Sequence, residues 1–226
     1  MKILVTGSEG YIGSKLVKAL EKEGHTVFRF DRKLNSYLKD FKDVDLVYHL
    51  ASQTDVKYSQ THPFQDANDN ILLTTQILEE YQDKRIIYPA SASSLDIKSP
   101  YGLSKKVGED YIKLCHKDYV ILRLPNVYGD GGHGVIDIFK EAEVMTIFGD
   151  GTATRTIVHV QDVVTAFVDA KNWPIGEYQL GGQVISINEI ADKLNKPKVY
   201  KPIPPGGIFS AVMENTAPNW KPTIFL

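Results

Sequence analysis

Seven residues near the N-terminus constrain this chain more than any other stretch. Gly7-Ser8-Glu9-Gly10-Tyr11-Ile12-Gly13 follows the short apolar run Ile3 to Thr6. It leads into Tyr11 to Glu23, where Ile12, Leu16, Val17, Ala19 and Leu20 recur at helical spacing and Gly24 supplies the stop. A strand, a glycine turn and a helix in that order suit a phosphate ligand. The turn lets backbone approach a pyrophosphate closely, and the helix N-terminus offers free N–H groups and its positive dipole end. The next strand, Thr26 to Phe30, closes at Asp31. A carboxylate there accepts hydrogen bonds from a ribose and repels a 2′-phosphate, which favours NAD over NADP. Arg32 and Lys33 follow and bring positive charge to the same end of the site. The cofactor-binding residues expected from this stretch are Gly7, Gly10, Tyr11, Ile12, Gly13, Asp31 and Arg32.

Strands and helices keep alternating. Asp45 to Leu50, Arg85 to Tyr88 and Tyr119 to Leu124 read as strands. Phe64 to Tyr81, with an apolar stripe of Ile71, Leu72, Ile77 and Leu78, and Tyr101 to His116 read as helices. The pattern predicts an α/β chain: a Rossmann-type doubly wound parallel sheet covered on both faces. After Gly129 the alternation weakens into glycine-rich loops, a short strand near Thr156 to His159, a helix Gln161 to Lys171 and a strand near Tyr178. Ser186 to Asn195 reads as a small helix with Ser186 as N-cap and Glu189 at capping-box spacing, and Pro202 to Gly207 as a loop. The expected organisation is a dinucleotide-binding core over 1–125 and, over 126–226, mainly a small C-terminal substrate-binding lobe, with 160–180 returning to the sheet.

Composition narrows the partners. Net charge is −2 over 226 residues, with both signs interspersed, so no nucleic acid or membrane surface is expected through bulk charge. No apolar stretch has the length of a signal or membrane-spanning segment. The single cysteine, Cys115, excludes an intramolecular disulfide and fits a reducing, cytoplasmic setting; at the end of an amphipathic helix it reads as a packed or idle thiol. No metal site is expected.

Tyr101 and Lys105 stand four residues apart at the start of a helix and project from one face. A tyrosine near its ordinary pKa of about 10 is a poor base at neutral pH. An adjacent ammonium, together with the positive nicotinamide ring of NAD⁺, favours the phenolate. Tyr101 is then able to take a proton from a hydroxyl while hydride leaves the same carbon. Ser91, just past the fourth strand, is placed to hydrogen-bond the same substrate oxygen. The expected catalytic set is Ser91, Tyr101 and Lys105.

Glycine loop, Asp31, strand-terminal serine and Tyr-x-x-x-Lys, in this order, resemble the extended short-chain dehydrogenase/reductase family and its NAD-dependent epimerase/dehydratase group. Thr6-Gly7-Ser8-Glu9-Gly10-Tyr11-Ile12-Gly13 is similar to that group's opening phrase. The resemblance implies that the backbone of Leu50, Ala51 and Ser52, in His49-Leu50-Ala51-Ser52, lines the cofactor. Asn70, after Pro63 and before Thr74, matches the helix asparagine that supports the active site at the cofactor. Within Leu122 to Gly129 it assigns Asn126 to the substrate's diphosphate or sugar, and within Gly149 to Val163 it makes Arg155 a ligand of the nucleotide diphosphate. His159 and Asp162 are expected to order that loop and cap the next helix, Trp173 and Trp220 to pack, and His133, in a glycine loop, to be solvent-exposed, with proton donation near a sugar site as the alternative. The helices Phe64 to Tyr81 and Tyr101 to His116 are where this group pairs subunits, which implies a homodimer.

Dehydratases of the group carry an Asp-Glu pair directly after the active-site hydroxyl residue; here Ala92 and Ser93 stand there. A reductase resembling GDP-fucose synthase calls for a cysteine near Ser91, and none is present. The resemblance therefore implies reversible oxidation at one carbon, with C4 epimerisation of a UDP-hexose through a 4-keto intermediate as the expected activity. An NAD(P)H-dependent nucleotide-sugar ketoreductase and a catalytically idle NAD or sugar-nucleotide sensor or scaffold are the alternatives. Two connections are short for the family: eighteen positions from Asp31 to His49 and ten from Ser91 to Tyr101.

Overall fold

A computed structural model describes residues 1–34, 37–203 and 212–226. In chain order the elements are β1 (Lys2–Thr6), α1 (Gly13–Lys22), β2 (Thr26–Phe30), β3 (Leu46–His49), α2 (Val56–Thr61), α3 (Pro63–Ala67), a π-turn (Asn68–Leu72), α4 (Leu73–Glu80), β4 (Arg85–Ser91), α5 (Pro100–Cys115) and β5 (Tyr119–Leu124). Beyond these come β6 (Asn126–Tyr128), α6 (Val135–Glu141), β7 (Met145–Phe148), β8 (Thr154–His159), α7 (Val160–Ala170), β9 (Gly176–Gln179), β10 (Gln183–Ser186), α8 (Ile187–Leu194) and β11 (Lys198–Lys201). Two compact units result: Met1–Arg123 with Val164–Tyr178, and Leu124–Val163 with Gln179–Leu226.

The first unit is built on a sheet of order β2-β1-β3-β4-β5-β9, with β2–β1, β1–β3 and β3–β4 paired in parallel. Its inner strands are apolar on both faces: Ile3, Leu4 and Val5, Leu46, Val47 and Tyr48, and Val120, Ile121 and Leu122 are fully buried. Helices on both sides demand this of a parallel sheet. The chain turns one way from β1 to β2 and the other way to β3, so β1 and β3 flank a switch point, where such sheets bind ligands at their carboxyl ends.

In the second unit β8 pairs antiparallel with β10 and parallel with β6, and β7 pairs parallel with β11. Its core gathers Ile136, Phe139, Met145, Ile147, Ile157, Ile185 and Ile190. Ser186 caps α8 as expected, accepting from the Glu189 N–H at 3.1 Å, while the Glu189 carboxylate accepts from the Ser186 N–H at 2.8 Å.

Three differences from the sequence expectation have physical causes. The helix expected over Phe64 to Tyr81 is α3, a π-turn and α4, and the wider turn rotates the helical face beyond it: Leu72 is 58% exposed while Asn70, Thr74, Ile77 and Leu78 are buried. Helix α2 is six residues long, too short to show a period; its signal is Asp55, whose carboxylate caps the N–H groups of Lys57 and Tyr58 at 2.8 and 3.1 Å. Helix α6 and strand β7 occupy the region read as glycine-rich loops. The Asp137 carboxylate there gathers the N–H groups of Gly129 and Gly134 at 3.2 and 3.3 Å. Most of the loop read at Pro202 to Gly207 lies outside the described residues.

Candidate active site

The glycine turn is a backbone cradle. Gly7 has φ +67°, and a Cβ there would stand 2.7 Å from the Ala51 nitrogen; one on Gly13 would stand 2.1 Å from the Gly7 carbonyl oxygen. Neither position admits a side chain. Gly10 N donates to Gly7 O at 3.0 Å, and α1 begins at Gly13 without a side-chain cap, the N–H groups of Ser14 and Lys15 turning back to the Gly10 and Ile12 carbonyls at 3.0 and 3.1 Å. Ser8 is 1% exposed, and its hydroxyl has no hydrogen-bond partner among the described residues. Asp31, at the end of β2, accepts from the N–H groups of Glu9 and Lys33, both at 3.1 Å, so its carboxylate is oriented at the mouth of the turn; Arg32 is exposed. An uncapped helix N-terminus, a cradle without room for Cβ atoms and a buried unpaired hydroxyl fit the pyrophosphate of a dinucleotide.

A chain of buried hydrogen bonds runs from this cradle to α5. Thr6 Oγ1 accepts from the Ala51 N–H at 3.0 Å and lies 2.9 Å from His49 Nδ1, and His49 Nε2 lies 3.0 Å from Thr74 Oγ1. The Thr74 hydroxyl donates to the Asn70 carbonyl at 2.6 Å. Burial, helped by the Lys105 charge, takes His49 down to about 3, so its ring is neutral at any working pH. Asn70, inside the π-turn and 2% exposed, accepts from the Ser52 hydroxyl at 2.9 Å and the Gln53 N–H at 2.8 Å, and its amide donates to Ser104 Oγ at 2.9 Å. Its polar atoms are taken up by protein groups. Its observed contacts support the Ser52–Gln53 backbone and α5.

Ser91 ends β4 and Tyr101 is the second residue of α5. Ser99 caps that helix by accepting from the Gly102 N–H at 3.1 Å, Pro100 occupies its first position, and Ser59 of α2 accepts from the Tyr101 N–H at 3.2 Å. Gly102 is required for the approach, since a Cβ there would meet the Ser93 carbonyl oxygen at 2.5 Å. Ser91 Oγ accepts from the Ser93 N–H at 3.1 Å, which leaves the hydroxyl proton to be donated. Burial pushes the Tyr101 phenol above its ordinary pKa; hydrogen bonding with Ser91 works downward and the Asp66 charge upward. Lys105, 3% exposed, has its Nζ 4.2 Å above the Tyr88 ring; burial brings it down to about 7 against the upward pull of Glu109 and Asp66. Desolvation disfavours the phenolate and the ammonium alike.

Asp66 and Glu109, 1% and 0% exposed, are site residues that motif reading missed. The signal for Glu109 was present: it stands four residues beyond Lys105, on the same helical face.

In the second unit, Asn126 donates to the Thr156 carbonyl at 3.3 Å. Arg155 is half-buried, bonds the Thr154 carbonyl at 2.8 Å and has no carboxylate in ion-pair range among the described residues; burial alone lowers its pKa. His159 packs edge-on to Tyr128 at 5.2 Å and accepts from the Gln161 N–H at 3.3 Å. Asp162 reaches the C-terminal segment, accepting from the Thr223 N–H at 3.0 Å, the Thr223 hydroxyl at 2.8 Å and the Ile224 N–H at 2.9 Å. Trp173 and Trp220 are buried, and His133 and Cys115 are exposed. Among the described residues no cluster of three metal-ligating side chains forms, and no helix is long and apolar enough to cross a membrane.

The model of the NAD-dependent epimerase/dehydratase family matches residues 3–177. A putative UDP-glucose 4-epimerase of Methanocaldococcus jannaschii is 32% identical over 293 positions, spanning 99% of this chain and 94% of that protein. Those 293 positions face a chain of 226 residues, so at least 67 of them have no counterpart here. A UDP-glucose 4-epimerase of Mycolicibacterium smegmatis is 31% identical over 83% of this chain and 77% of its own. Among solved structures, the UDP-glucose 4-epimerase of Thermotoga maritima with UDP-glucose superposes with a TM-score of 0.87 at 28% identity, covering 100% of this chain and 94% of that one. The UDP-glucuronic acid 4-epimerase of Bacillus cereus, in complex with NAD and a fluorinated UDP-sugar, superposes at 0.80 with 28% identity, covering 100% and 95%. The chain belongs to the NAD-dependent epimerase/dehydratase family.

Proposed function

We propose that this chain is an NAD-dependent sugar-nucleotide epimerase that inverts C4 of a UDP-hexose. The observation that carries the reading is the triad of half-buried Tyr101, its half-buried hydrogen-bonding neighbour Ser91, and buried Lys105 one turn along, at the carboxyl end of the sheet. NAD supplies the hydride acceptor and donor when bound. The first unit holds it: Gly7, Gly10, Tyr11, Ile12 and Gly13 at the pyrophosphate, Asp31 and Arg32 at the adenosine ribose, and Leu50, Ala51 and Ser52 along its length, with Asn70 as their strut. Tyr101 takes the proton from the sugar hydroxyl and returns it, Ser91 donates to the same oxygen, and Lys105 orients the cofactor and favours the phenolate. The second unit takes the nucleotide diphosphate at Arg155, whose half-buried guanidinium has no carboxylate in ion-pair range among the described residues, and at Asn126.

The test is direct. Denatured protein is assayed for released dinucleotide, and fresh protein is incubated with UDP-glucose and UDP-galactose. NAD in the supernatant and interconversion of the two sugars are expected. Net consumption of added NADH with a keto sugar would instead identify a reductase, and no dinucleotide, released or bound on addition, would sink the reading.

The same reading makes the protein a cytoplasmic homodimer. What supports the dimer is exposed apolar surface on packed helices: Phe64 on α3 and Leu114 on α5 are 81% and 84% exposed, and Leu72 of the π-turn and Leu103 and Tyr111 of α5 are exposed as well. Phe64→Glu with Leu114→Glu is expected to halve the mass measured by light scattering at micromolar concentration. A wild-type chain already monomeric there would refute the pairing.

A further inference from the structure

Helix α5 carries a third ionisable side chain on its Tyr101–Lys105 face. Glu109 is fully buried, and its carboxylate accepts from Arg123 Nε at 3.1 Å, from Arg123 Nη2 and from the Ser94 hydroxyl. Ser94 Oγ also lies 2.7 Å from the Ser91 carbonyl oxygen, so one hydroxyl proton is shared between the carboxylate and that carbonyl. Arg123 is held from its other side by Glu177, which Lys113 meets at 3.2 Å. The turn that carries Ser91 is thus tied to the helix that carries Tyr101 twice, by this clamp and by the Gly102–Ser93 backbone contact.

We propose that Ser94 and Glu109 are positioning residues that hold Ser91 in register with Tyr101 for proton transfer. The proposal rests on the reading of Ser91 and Tyr101 as the proton-handling pair. An apolar contact would hold α5 to the sheet equally well, and buried ion pairs are often replaceable by hydrophobic packing without loss of stability. A hydrogen bond to the Ser91 carbonyl does what packing does not: it fixes the direction in which that residue presents its hydroxyl. Pinned by Arg123, the carboxylate is a stationary acceptor. Proton transfer needs donor and acceptor within about 3 Å, so a displacement of a few tenths of an ångström at Ser91 is felt in kcat.

The test is a cycle of Ser94→Ala, Ser91→Ala and the double variant. Ser94→Ala is expected to lower kcat about ten- to a hundredfold, with the KM for the sugar nucleotide and the NAD affinity unchanged. The double variant is expected to be no slower than Ser91→Ala alone. Independent, multiplying losses, an unchanged kcat, or a change confined to KM would overturn the proposal. If no sugar nucleotide is turned over, the functional reading has failed and the clamp is read spectroscopically. Tyrosines are labelled with ¹³C at Cζ in the dinucleotide-loaded protein, and the Tyr101 signal is identified by Tyr101→Phe. Ser94→Ala must then move that signal in the sense that Ser91→Ala does and add nothing in the double variant; a signal that Ser94→Ala leaves in place overturns the proposal. Glu109→Gln, checked for folding by its thermal transition, is expected to repeat the loss in kcat, and a folded variant with full kcat would remove Glu109 from the clamp.

Discussion

Tyr101→Phe is expected to lower kcat by about a thousandfold or more while leaving the fold and the bound dinucleotide in place. The substitution removes one oxygen and keeps the ring. The features that place residue 101 are backbone contacts that the substitution does not touch: the Ser59 hydroxyl on its N–H, Ser99 on the Gly102 N–H, and the close pass of Gly102 over Ser93. The phenol is half-buried and its ionisation is disfavoured by desolvation and by Asp66, so losing it removes no favourable charge from the fold and the melting temperature should move little. What is lost is the proton acceptor for the sugar hydroxyl. Ser91→Ala should cost less, because Ser91 only shares the oxygen that Tyr101 deprotonates. The measurement is interconversion rate together with dinucleotide released on denaturation. Retained NAD with a rate within tenfold of wild type would show that another group takes the proton.

The features legible in the residues are those whose constraints are local. The turn from Gly7 to Gly13, the carboxylate at Asp31 and the pair Tyr101–Lys105 are short-range patterns, because a tight turn, a strand end and two side chains one helical turn apart are specified by neighbours in sequence. The strands from β1 to β5 were legible as apolar runs for the same reason. The π-turn at Asn68–Leu72 was not, because a rule of fixed period cannot register an inserted residue, and so Leu72 was placed inside and Asn70 received no structural role beyond that of its motif. Helix α6 hid behind the glycines before it, and its anchor, Asp137 on two glycine N–H groups, is visible only when the loop is folded. Glu109, Ser94 and Arg123 meet across fourteen or fifteen positions of sequence. Each is an ordinary polar residue until β5 and the turn after β4 close on α5. Asp162 shows the same limit at longer range: its place in the first turn of α7 suggests a cap, and only the folded chain shows that its carboxylate also secures Thr223 and Ile224 some sixty residues on.

Lys105 exposes the tension between stability and function at this site, and Lys105→Met should reveal both sides at once. Activity should fall at least about a hundredfold, since methionine keeps the length of the stem and loses the charge that favours the phenolate. Stability, measured on protein stripped of its dinucleotide, should rise. The folded chain brings the amine down to about 7 from the 10.5 of an exposed lysine, so between those values the unfolded chain binds more protons than the folded one and wild-type stability climbs with pH. Below about pH 7 the buried ammonium carries its full desolvation cost; near pH 10.5 both states hold a neutral amine and the cost is gone. The variant's advantage should therefore be largest at pH 6, a rise of roughly 5–10 °C in melting temperature for a destabilisation of about 3 kcal/mol, and should shrink steadily toward pH 10. An advantage that does not vary with pH would mean that methionine merely packs better. A variant less stable than wild type at pH 6 would mean that Glu109 and Asp66 offset the burial of the ammonium, and that the lysine holds its charge without help from a bound ligand.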